Sequence, residues 1–579
     1  MIHNTLQFHI KQCILSKHNT AQCYLFYSVA QQRYQSTHTR KFVAPHNPNK
    51  QHSTIPDGWA IKIGIEVHAQ ILTQHKLFSS SQTGLYSNIN TIPPNTNVSY
   101  IDIGYPGVLP QLNYSCLNQC IATGTALHCN IHHNTNFDRK HYFYPDIPCN
   151  YQITQQYQPI CTDGHLLLND GRSTRIDITR IQLEQDSGKN IHDLSKDYTY
   201  IDYNRANCAL MEIVTTPCIY TAETAVQYVR QLSQLLQHIN TCSGRMEDGA
   251  LRCDVNVSVH SKDGKYNSER VEIKNLNSLR SLHRAIQYET NRQIELYHSN
   301  QHVSRETRTY DVINNKTILL RSKEQLLDYR FMNEPDIPPI YIQQHVVQSI
   351  QNNLPVLPEQ LLDELMDRYQ LLQPNALILI NELGAAQYFR AVVNYDVTAN
   401  QCSDTIQRNP VRSANWIINE LFGRLRKLAD TTNVATRDEY NTNNNTLMSY
   451  NNVTVKQMAE LIDLIESDQI SSKHSKLLLD ELVDNSQKQC NNVSVPQLAE
   501  QYNYIQISDM VQLQQYVDTV FQQHSNDISD YLNTQNPRMI GLFVGNTVKL
   551  SNGKANAKLV HQIVVNQLNK LVQQNRNII

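Results

Sequence analysis

The clearest pattern of hydrophobic and polar positions lies in residues 61–71, where isoleucine, valine and alanine alternate with polar residues or glycine. A repeat of two with β-branched residues predicts a strand with one buried face. Glu66 and His68 then project from the same polar face, about 7 Å apart at a rise of ~3.3 Å per residue. A carboxylate beside an imidazole suits a cation site or an acid–base pair. A solvated face with an ordinary exposed Glu and His is the alternative.

Similar alternation recurs before the chain becomes helical. Apolar residues at helical spacing predict helices at 221–239 and 279–296 among the strands, and a proline-rich junction at 334–339 closes this mixed region. Beyond about residue 355 the spacing is helical throughout. The sequence therefore predicts an α+β region followed by helices. The further strands are predicted at 175–184, 208–214, 251–259 and 270–274.

The helical part shows boundaries of its own. Pro358 precedes an apolar helical repeat, as proline does in the first turn of helices. A second repeat surrounds Trp416, and an asparagine-rich stretch at 441–452 is typical of a flexible insertion or linker. The chain ends in an amphipathic pattern that predicts a last helix at about 559–572.

The 579-residue chain has a formal net charge of −2, but its charges are unevenly placed. No acidic residue precedes Asp57 and none follows Asp530, so both ends are purely cationic. The front segment, residues 1–56, is also rich in Gln, Ser, Thr and His and mildly amphipathic. This composition predicts a disordered mitochondrial presequence and location in the matrix. A polar disordered tail without a targeting role is the alternative.

Other sequence features narrow the possible classes of protein. Thirteen cysteines without a CxxC pair favour free thiols over a disulfide framework. The sequence has no run of about 18 apolar residues, so we expect no membrane span. It also has no P-loop, Rossmann, zincin or α/β-hydrolase signature. Any use of a nucleotide would therefore differ from the P-loop and Rossmann modes.

Charged residues crowd the predicted polar faces. Glu184 ends one strand, and Glu212 lies in an apolar run where a carboxylate needs a partner such as Arg205. Crowded carboxylates raise one another's pKa unless a cation relieves them. Oxygen ligands with one His favour Mg²⁺ or a similar hard ion over zinc. The neighbouring strands add Asp254, Glu272 and Lys274 to the same kind of face.

Eight segments, in order, resemble the B subunit of the tRNA-dependent glutamyl/aspartyl amidotransferases. The likeness covers essentially everything after the front segment, and its last segment resembles the tail domain of that protein. The segments are IGIEVHAQ (63–70), FDRKHYFYPDIP (137–148), QLEQDSGK (182–189), DYNRA (202–206), MEDGALRCDVNVSV (246–259), EIKNLNS (272–278), DYRFMNEPDIPP (328–339) and GLFVGNTVKLSNGKANAKLV (541–560).

The resemblance implies an α+β fold with a cradle-like catalytic domain on a largely antiparallel sheet. An all-helical domain and a small helical tail domain would follow, which divides the chain at 57–350, 351–450 and 451–579. It also implies a heterotrimer with two partners, the glutaminase subunit together with the bridging subunit. As an ATP-dependent carbon–nitrogen ligase, the complex would convert misacylated Glu-tRNA(Gln) to Gln-tRNA(Gln), by phosphorylation of the glutamyl carboxylate and attack of ammonia.

Carried over by motif, the resemblance implies specific site residues. Mg²⁺ would bridge the ATP phosphates and the substrate carboxylate. Four further residues would contact the ATP or the aminoacyl group, and for each of them a structural ion pair is an equally open alternative to a ligand contact. The Mg²⁺ ligands, which would also be catalytic, are Glu66, His68, Glu184 and Glu212, and the ATP or aminoacyl residues are Arg205, Asp254, Glu272 and Lys274.

The chain also departs from the pattern of that family. Many bacterial members carry a four-cysteine zinc site, and the matching positions here are Ser79, Ser81, Ser99 and Asp102. We therefore expect no structural zinc. Gln182 and Gln185 stand where bacterial relatives commonly have a His and a Glu, which lowers the local negative charge.

The cationic tail suggests contact with RNA. Residues 531–579 carry six basic and no acidic side chains. Such a segment would attract the phosphates of tRNA(Gln), with Lys549, Lys554 and Lys558 in or beside a GKAN turn. A solvated basic helical face is the alternative.

Two other classes of function remain open at this point. A non-catalytic RNA-binding scaffold would keep transamidation intact when Glu66 is replaced by Gln. An unrelated metal-dependent hydrolase would turn over its substrate alone, without tRNA or partner subunits. An amidotransferase subunit requires its partners, ATP and a misacylated tRNA together.

Overall fold

The computed structural model describes residues 55–84, 92–170, 173–193, 197–322, 328–397, 399, 401–402, 405–435, 447–484 and 494–576. The predicted presequence falls outside this part of the chain except for its last two residues. Residues 441–446 of the asparagine-rich stretch fall outside it too. All structural statements below concern the described residues.

The strands occupy mainly the first half of the chain. They are β1 (Trp59–Gln70), β2 (Asn130–Ile131), β3 (Asn134–Thr135), β4 (Asp138–His141), β5 (Tyr151–Thr154), β6 (Cys161–Leu167), β7 (Arg175–Gln185), β8 (Lys189–Asp193), β9 (Tyr198–Asp202), β10 (Ala209–Thr215), β11 (Leu251–Ser261), β12 (Val271–Leu276), β13 (Glu306–Asp311), β14 (Lys316–Ser322), β15 (Met332–Asn333), β16 (Ile340–Tyr341), β17 (Tyr395–Asp396) and β18 (Gln401–Cys402).

The helices lie partly among these strands and then fill the second half. They are α1 (Tyr114–Ala126), α2 (Ala222–His238), α3 (Leu279–His298), α4 (Gln344–Asn353), α5 (Pro358–Asp367), α6 (Gln373–Asn381), α7 (Ala385–Asn394), α8 (Pro410–Asn415), α9 (Phe422–Ala435), α10 (Val455–Glu466), α11 (Ser472–Asp484), α12 (Val495–Gln501), α13 (Met510–Gln523), α14 (Ser525–Thr534), α15 (Arg538–Leu550) and α16 (Ala557–Arg576). A π-helical turn, Trp416–Leu421, joins α8 to α9, and Leu447–Tyr450 forms a short 3₁₀ turn.

One large sheet organises the first half. Its nine strands follow the order β14-β13-β12-β11-β1-β10-β7-β6-β2, and every neighbouring pair is antiparallel except β12 and β13. The first strand of the sequence therefore lies near the middle, between β10 and β11. The predicted α+β class with a largely antiparallel sheet is confirmed.

The alternation in β1 decides which face of the sheet is buried. Ile61, Ile63, Ile65, Val67 and Ala69 are all buried, and α2 and α3 pack against this side of the sheet. Apolar burial of this kind contributes about 25 cal/mol per Å². The opposite face of β1, with its charged residues, is left open to form the site.

Capping residues explain where the covering helices begin. The hydroxyl of Thr221 accepts a hydrogen bond from the backbone N–H of Thr224 at the start of α2. Ser278 does the same for Ser281 at the start of α3. Each bond satisfies one of the N–H groups that have no partner within the helix.

The apolar side chains of the second half form two clusters. One is built from α5 to α12 and includes Leu365, Phe389, Leu421 and Leu479. The other is built from α13 to α16 around Phe543. No single described helix is long and apolar enough to cross a membrane. Taken together, α6 and α7 have the length and apolar composition of a span, but the pair is bent by 117°.

The positions that match a zinc site meet around a buried ion pair. The ammonium of Lys76 lies 3.0 Å from Asp102 Oδ2, and both side chains are 0% exposed. The Ser99 backbone N–H and the Ser79 hydroxyl also donate to Asp102 Oδ2, at 2.8 and 3.2 Å, and the Ser81 N–H donates to Ser79 Oγ at 3.3 Å. The Lys76 ammonium, paired with Asp102, therefore lies where these segments meet.

Candidate functional site

Strand register brings the predicted acidic residues to one face. His68 of β1 is paired with Glu212 of β10 on one side and with Arg252 of β11 on the other. Glu66 is paired with Asp254 of β11. Glu184 lies on the next strand, β7, and the pairing of β7 with β10 places it on the same face.

The side chains form two groups of three, each close enough to hold an ion, and His68 belongs to both. The ligand atoms of His68, Glu184 and Glu212 lie within 4.8 Å of one another, and so do those of Glu66, His68 and Asp254. His68 Nε2 is 3.4 Å from Glu66 Oε1. The structure thus brings together the four residues predicted as Mg²⁺ ligands and adds Asp254 to them.

The carboxylates repel one another strongly. Burial raises the pKa of Glu212 well above its usual range, and the negative charges of Glu184 and Glu66 raise it further. Lys140 and Arg180 act in the opposite direction, and the Arg180 guanidinium is 3.9 Å from Glu212 Oε1. The positive charge of the chain is therefore too small to offset the crowding.

Glutamine side chains hold two of these carboxylates in place. Gln182 Nε2 donates to Glu212 Oε2 at 2.8 Å, and Gln152 Nε2 donates to Glu184 Oε1 at 2.6 Å. An amide orients a carboxylate without neutralising it. Oxygen ligands with one imidazole, crowded and incompletely compensated, fit a hard divalent cation such as Mg²⁺.

Asp254 is paired with a lysine of the neighbouring strand. Lys274 donates to its Oδ2 at 2.8 Å, and the Asn275 N–H donates to its Oδ1 at 2.9 Å. Burial alone would raise the pKa of Asp254, but Lys274 and His68 hold it below its usual value. Lys274 also pairs with Glu272 at 3.0 Å. An ion-paired group thus lies beside the cluster. It consists of three residues predicted to contact the ATP or the aminoacyl group, namely Asp254, Glu272 and Lys274.

Arg205 has a different environment. Its guanidinium donates to the carbonyls of Ser187 and Gly188, at 3.0 and 2.8 Å, and lies 3.4 Å from Asp186. Arg252 holds the same carboxylate at 3.0 Å. Arg205 thus fixes the turn that follows Glu184, a geometry that favours the structural ion pair over a ligand contact.

An open cleft of about 570 Å³ lies over this face. Tyr329 and Phe331 line the cleft, and the ammonium of Lys140 lies 5.2 Å from the centre of the Tyr329 ring. The cleft is also lined by basic side chains and by carboxylates. Its lining residues include Lys62, Arg270, Arg305 and Arg321, together with Glu66, Glu184, Glu212, Glu272 and Lys274 of the predicted set.

Several residues of the site were not predicted as such. Lys140 is one of them: burial lowers its pKa while Glu184 and Glu212 raise it, with a net upward shift. It lies within the segment 137–148 that carried the resemblance, so the motif held a signal. Gln152 lies in a short strand without a distinctive pattern, and nothing in the sequence identified it.

Fold and site together define an α+β protein with a carboxylate-rich polar cleft on the open face of an antiparallel sheet. Residues 61–348 match the GatB/GatE catalytic domain, and residues 400–568 match the GatB domain. The aspartyl/glutamyl-tRNA(Asn/Gln) amidotransferase B subunit of Ehrlichia canis (strain Jake) is 37% identical over 511 residues, which cover 88% of this chain and 97% of the relative. The corresponding protein of Rickettsia bellii (strain RML369-C) is 36% identical over 512 residues, or 88% and 98%. The chain therefore belongs to the GatB/GatE family, as the B subunit of an Asp/Glu-tRNA(Asn/Gln) amidotransferase, and the family predicted from the motifs is confirmed.

Proposed function

We propose that this chain activates the side chain of a misacylated tRNA inside the cleft and lets ammonia replace the activated oxygen. The observation that carries the proposal is the meeting of His68, Glu184 and Glu212 in a cleft that is also lined by several Lys and Arg side chains. In this reaction a glutamyl carboxylate oxygen attacks the γ-phosphorus of ATP, and ADP leaves. Ammonia then attacks the carbonyl carbon of the acyl phosphate, and inorganic phosphate leaves with the oxygen.

The residues of the chain have separate tasks in this scheme. Glu66, His68, Glu184 and Glu212 would hold Mg²⁺, which when bound supplies charge neutralisation between phosphates and carboxylate. Lys140 and Arg180 place positive charge beside the same cluster, where charge develops on the phosphoryl oxygens. Gln152 and Gln182 keep the carboxylates oriented.

The proposal extends to partners and place. We infer a heterotrimer in which a glutaminase subunit would supply ammonia, while a bridging subunit would join the glutaminase to this chain. The acid-free segment before Asp57 supports import into the mitochondrial matrix. There the substrate would be Glu-tRNA(Gln).

Reconstitution of the three subunits tests this function directly. Radiolabelled Glu-tRNA(Gln), Mg²⁺-ATP and ammonium should yield Gln-tRNA(Gln), because ammonium replaces the glutaminase and isolates the step assigned to this chain. Omission of ATP, or of this chain, should abolish the amide. Amide formation without ATP would contradict the proposal, and turnover by the chain alone would support a hydrolase. Binding of tRNA without any amide formation would support the scaffold.

The tail domain offers a separate prediction about tRNA. Lys549 is exposed at the end of α15, and Lys554 follows in the turn. The ammonium of Lys558 lies 2.6 Å from Asp468, so part of its charge is already compensated. Lys549→Ala and Lys554→Ala should each reduce the magnitude of the negative slope of log affinity against log salt by about 1, as loss of one phosphate contact does.

Filter binding of Glu-tRNA(Gln) over a salt series measures these slopes. Lys558→Ala should change the slope less, because Asp468 competes with RNA for its ammonium. Lys265→Ala, at a 79% exposed position paired with Asp263 in the catalytic region, provides the control. Equal slopes for the wild type and both tail variants would show that these lysines do not contact RNA.

A further inference from the structure

Two residues that line the cleft each have a buried polar atom without a hydrogen-bond partner among the residues that the structure describes. One atom is Oε1 of Gln182, an acceptor, and the other is Nε of Arg180, a donor. Gln182 as a whole is only 2% exposed. Because an unpaired buried polar atom costs free energy, native proteins keep few of them, and each one calls for an explanation such as a catalytic role.

Strand β7 presents both side chains beside the carboxylate cluster. Arg180, Gln182 and Glu184 alternate along β7 and therefore share its polar face, where neighbouring positions are about 7 Å apart. Gln182 is paired with Glu212 of β10, and Arg180 is paired with Val214. All five residues line the cleft. Arg180 and Gln182 thus border the space in which the cluster would hold a substrate.

Hydrogen bonds decide which atom of the Gln182 amide is left without a partner. Its Nε2 donates to Glu212 Oε2 at 2.8 Å and to Thr154 Oγ1 at 3.2 Å. Reversal of the amide would turn its oxygen toward the Glu212 carboxylate, so the observed orientation is the favourable one. Gln152 differs, because its Oε1 accepts a hydrogen bond from the Tyr142 hydroxyl at 3.2 Å. Of the two glutamines that hold carboxylates, Gln182 is therefore the one with an acceptor left for a ligand.

The two atoms match the two groups that join when an amide forms. Ammonia offers N–H groups to an acceptor, and the carbonyl oxygen that it attacks gains negative charge and needs a donor. Arg180 can supply this donor, since its Nη2 is 3.9 Å from Glu212 Oε1, beyond hydrogen-bond distance. We propose that Arg180 and Gln182 form an amination pair, in which Gln182 Oε1 accepts from ammonia and Arg180 Nε donates to the attacked carbonyl oxygen. This inference rests on the proposed ATP-dependent reaction and assigns residues to its second step.

The step conserves atoms and charge without a titrating group of the protein. The lone pair of ammonia forms the C–N bond, and the electron pair of the carbonyl double bond moves onto its oxygen, where the Arg180 N–H stabilises the negative charge. Return of that pair restores the carbonyl and breaks the bond from carbon to the bridging oxygen. Phosphate leaves with that oxygen and its electron pair, and takes one proton from the nitrogen. The products are the amide and hydrogen phosphate.

The yield of amide per ADP released tests Gln182 in the reconstituted three-subunit complex. With Mg²⁺-ATP and radiolabelled Glu-tRNA(Gln), the acyl phosphate divides between ammonia and water, so this yield does not depend on the rate of phosphorylation. Gln182→Met should raise the ammonium concentration for half-maximal yield by about five- to tenfold, the effect of losing one hydrogen bond. Gln152→Met removes a similar bond to a carboxylate but no free acceptor, so it should slow ADP release and leave that concentration unchanged.

A single turnover at saturating ammonium, with the complex in excess over Glu-tRNA(Gln), tests Arg180. Arg180→Lys keeps a positive charge but removes Nε. Amide formation should become at least about tenfold slower, the effect of losing a hydrogen bond to a charged group, and ADP formation should slow less. Arg175→Lys, at a 57% exposed position on the same strand and outside the cleft, is the matched control and should show no such delay.

Two further variants at position 182 complete the test. Gln182→His offers both a donor and an acceptor on its imidazole, so it should retain the wild-type yield. Gln182→Lys keeps a donor for Glu212 but offers no acceptor, so it should raise the ammonium requirement as Gln182→Met does. It takes the place of Gln182→Met if melting curves show that the methionine chain does not fold.

The outcomes separate the amination pair from the proposed function. An unchanged amide yield in Gln182→Met, or an undelayed amide in Arg180→Lys, overturns the pair, while ADP release that requires Glu-tRNA(Gln) keeps the function. Equal losses of ADP and amide in both variants would assign the two residues to phosphorylation and would also overturn the pair. Amide formation without ATP in the wild type removes the function and the pair together.

Discussion

Glu66→Gln should lower ATP-dependent amide formation by at least about 100-fold, the loss typical when one electrostatic partner of a transition state is removed. Glutamine keeps the volume and one acceptor oxygen, so the strand should fold as before. It removes a negative charge beside His68, whose Nε2 lies 3.4 Å from Glu66. Binding of Mg²⁺ and orientation of the phosphates would both suffer.

The assay uses ammonium as the nitrogen donor, so that only the step assigned to this chain limits the rate. The dependence on Mg²⁺ provides a second readout. If Glu66 is a ligand, half-maximal activity should need more Mg²⁺ in the variant, whereas a purely structural role would leave this requirement unchanged. The affinity for Glu-tRNA(Gln) should match that of the wild type.

Glu295→Gln is the matched control. Glu295 is exposed on α3, the helix that packs against the opposite face of the sheet. The same chemical change there should leave the rate within experimental error. Equal rates for wild type and Glu66→Gln would show that the strand carboxylate is structural, and the site assignment would fail.

The part of the site that lies on one strand could be predicted from the sequence. Alternation in β1 fixes which side chains share a face, and it placed Glu66 and His68 together. The partners on other strands depend on topology, because β1 pairs with β10 and β11, which follow it in sequence by more than a hundred residues. The polar faces of the other predicted strands marked Glu184 and Glu212 as candidates, and the family motifs then assigned them to one cation site with Glu66 and His68. Gln152 lies outside those motifs and remained unidentified.

The elements that were not predicted include helix α1 and strands β13 and β14, which were missed for different physical reasons. Helix α1 is buried on several sides, with Cys116, Leu117, Cys120 and Ile121 among its buried residues, so it lacks the polar stripe of a surface helix. Strands β13 and β14 lack the expected apolar face. Their inner side instead meets a buried carboxylate, Glu289, which accepts hydrogen bonds from Arg292 and Thr317.

Lys76→Met should destabilise the protein by about 3–5 kcal/mol, the usual cost of leaving a buried charge without its partner. Lys76 and Asp102 are both fully buried, and their separation is 3.0 Å. The methionine side chain fills similar space but carries no charge. The carboxylate would keep neutral donors, including the Asn207 amide at 2.9 Å, yet it would lose its only buried ammonium among the described residues.

Thermal and guanidinium unfolding of the full-length chain measure this effect, with Lys265→Met as a control at an exposed pair. The double variant Lys76→Met/Asp102→Asn sharpens the test. Asparagine removes the stranded charge and keeps an acceptor for the Ser99 N–H, so the double variant should be more stable than Lys76→Met alone. A Lys76→Met chain as stable as the wild type would contradict the role assigned to the pair.

Metal removal tests whether the segments around Lys76 and Asp102 depend on a bound zinc ion. If the Lys76 ammonium provides the cation that these segments need, dialysis against a strong zinc chelator should leave the unfolding midpoint of the wild type unchanged. A structural zinc site contributes folding free energy directly, so its loss would lower that midpoint. A lower midpoint after chelation, restored by zinc, would show that zinc stabilises the fold, and the expectation of no structural zinc around Ser79, Ser99 and Asp102 would fail. An unchanged midpoint, together with a destabilised Lys76→Met, would assign the cross-link to the ion pair.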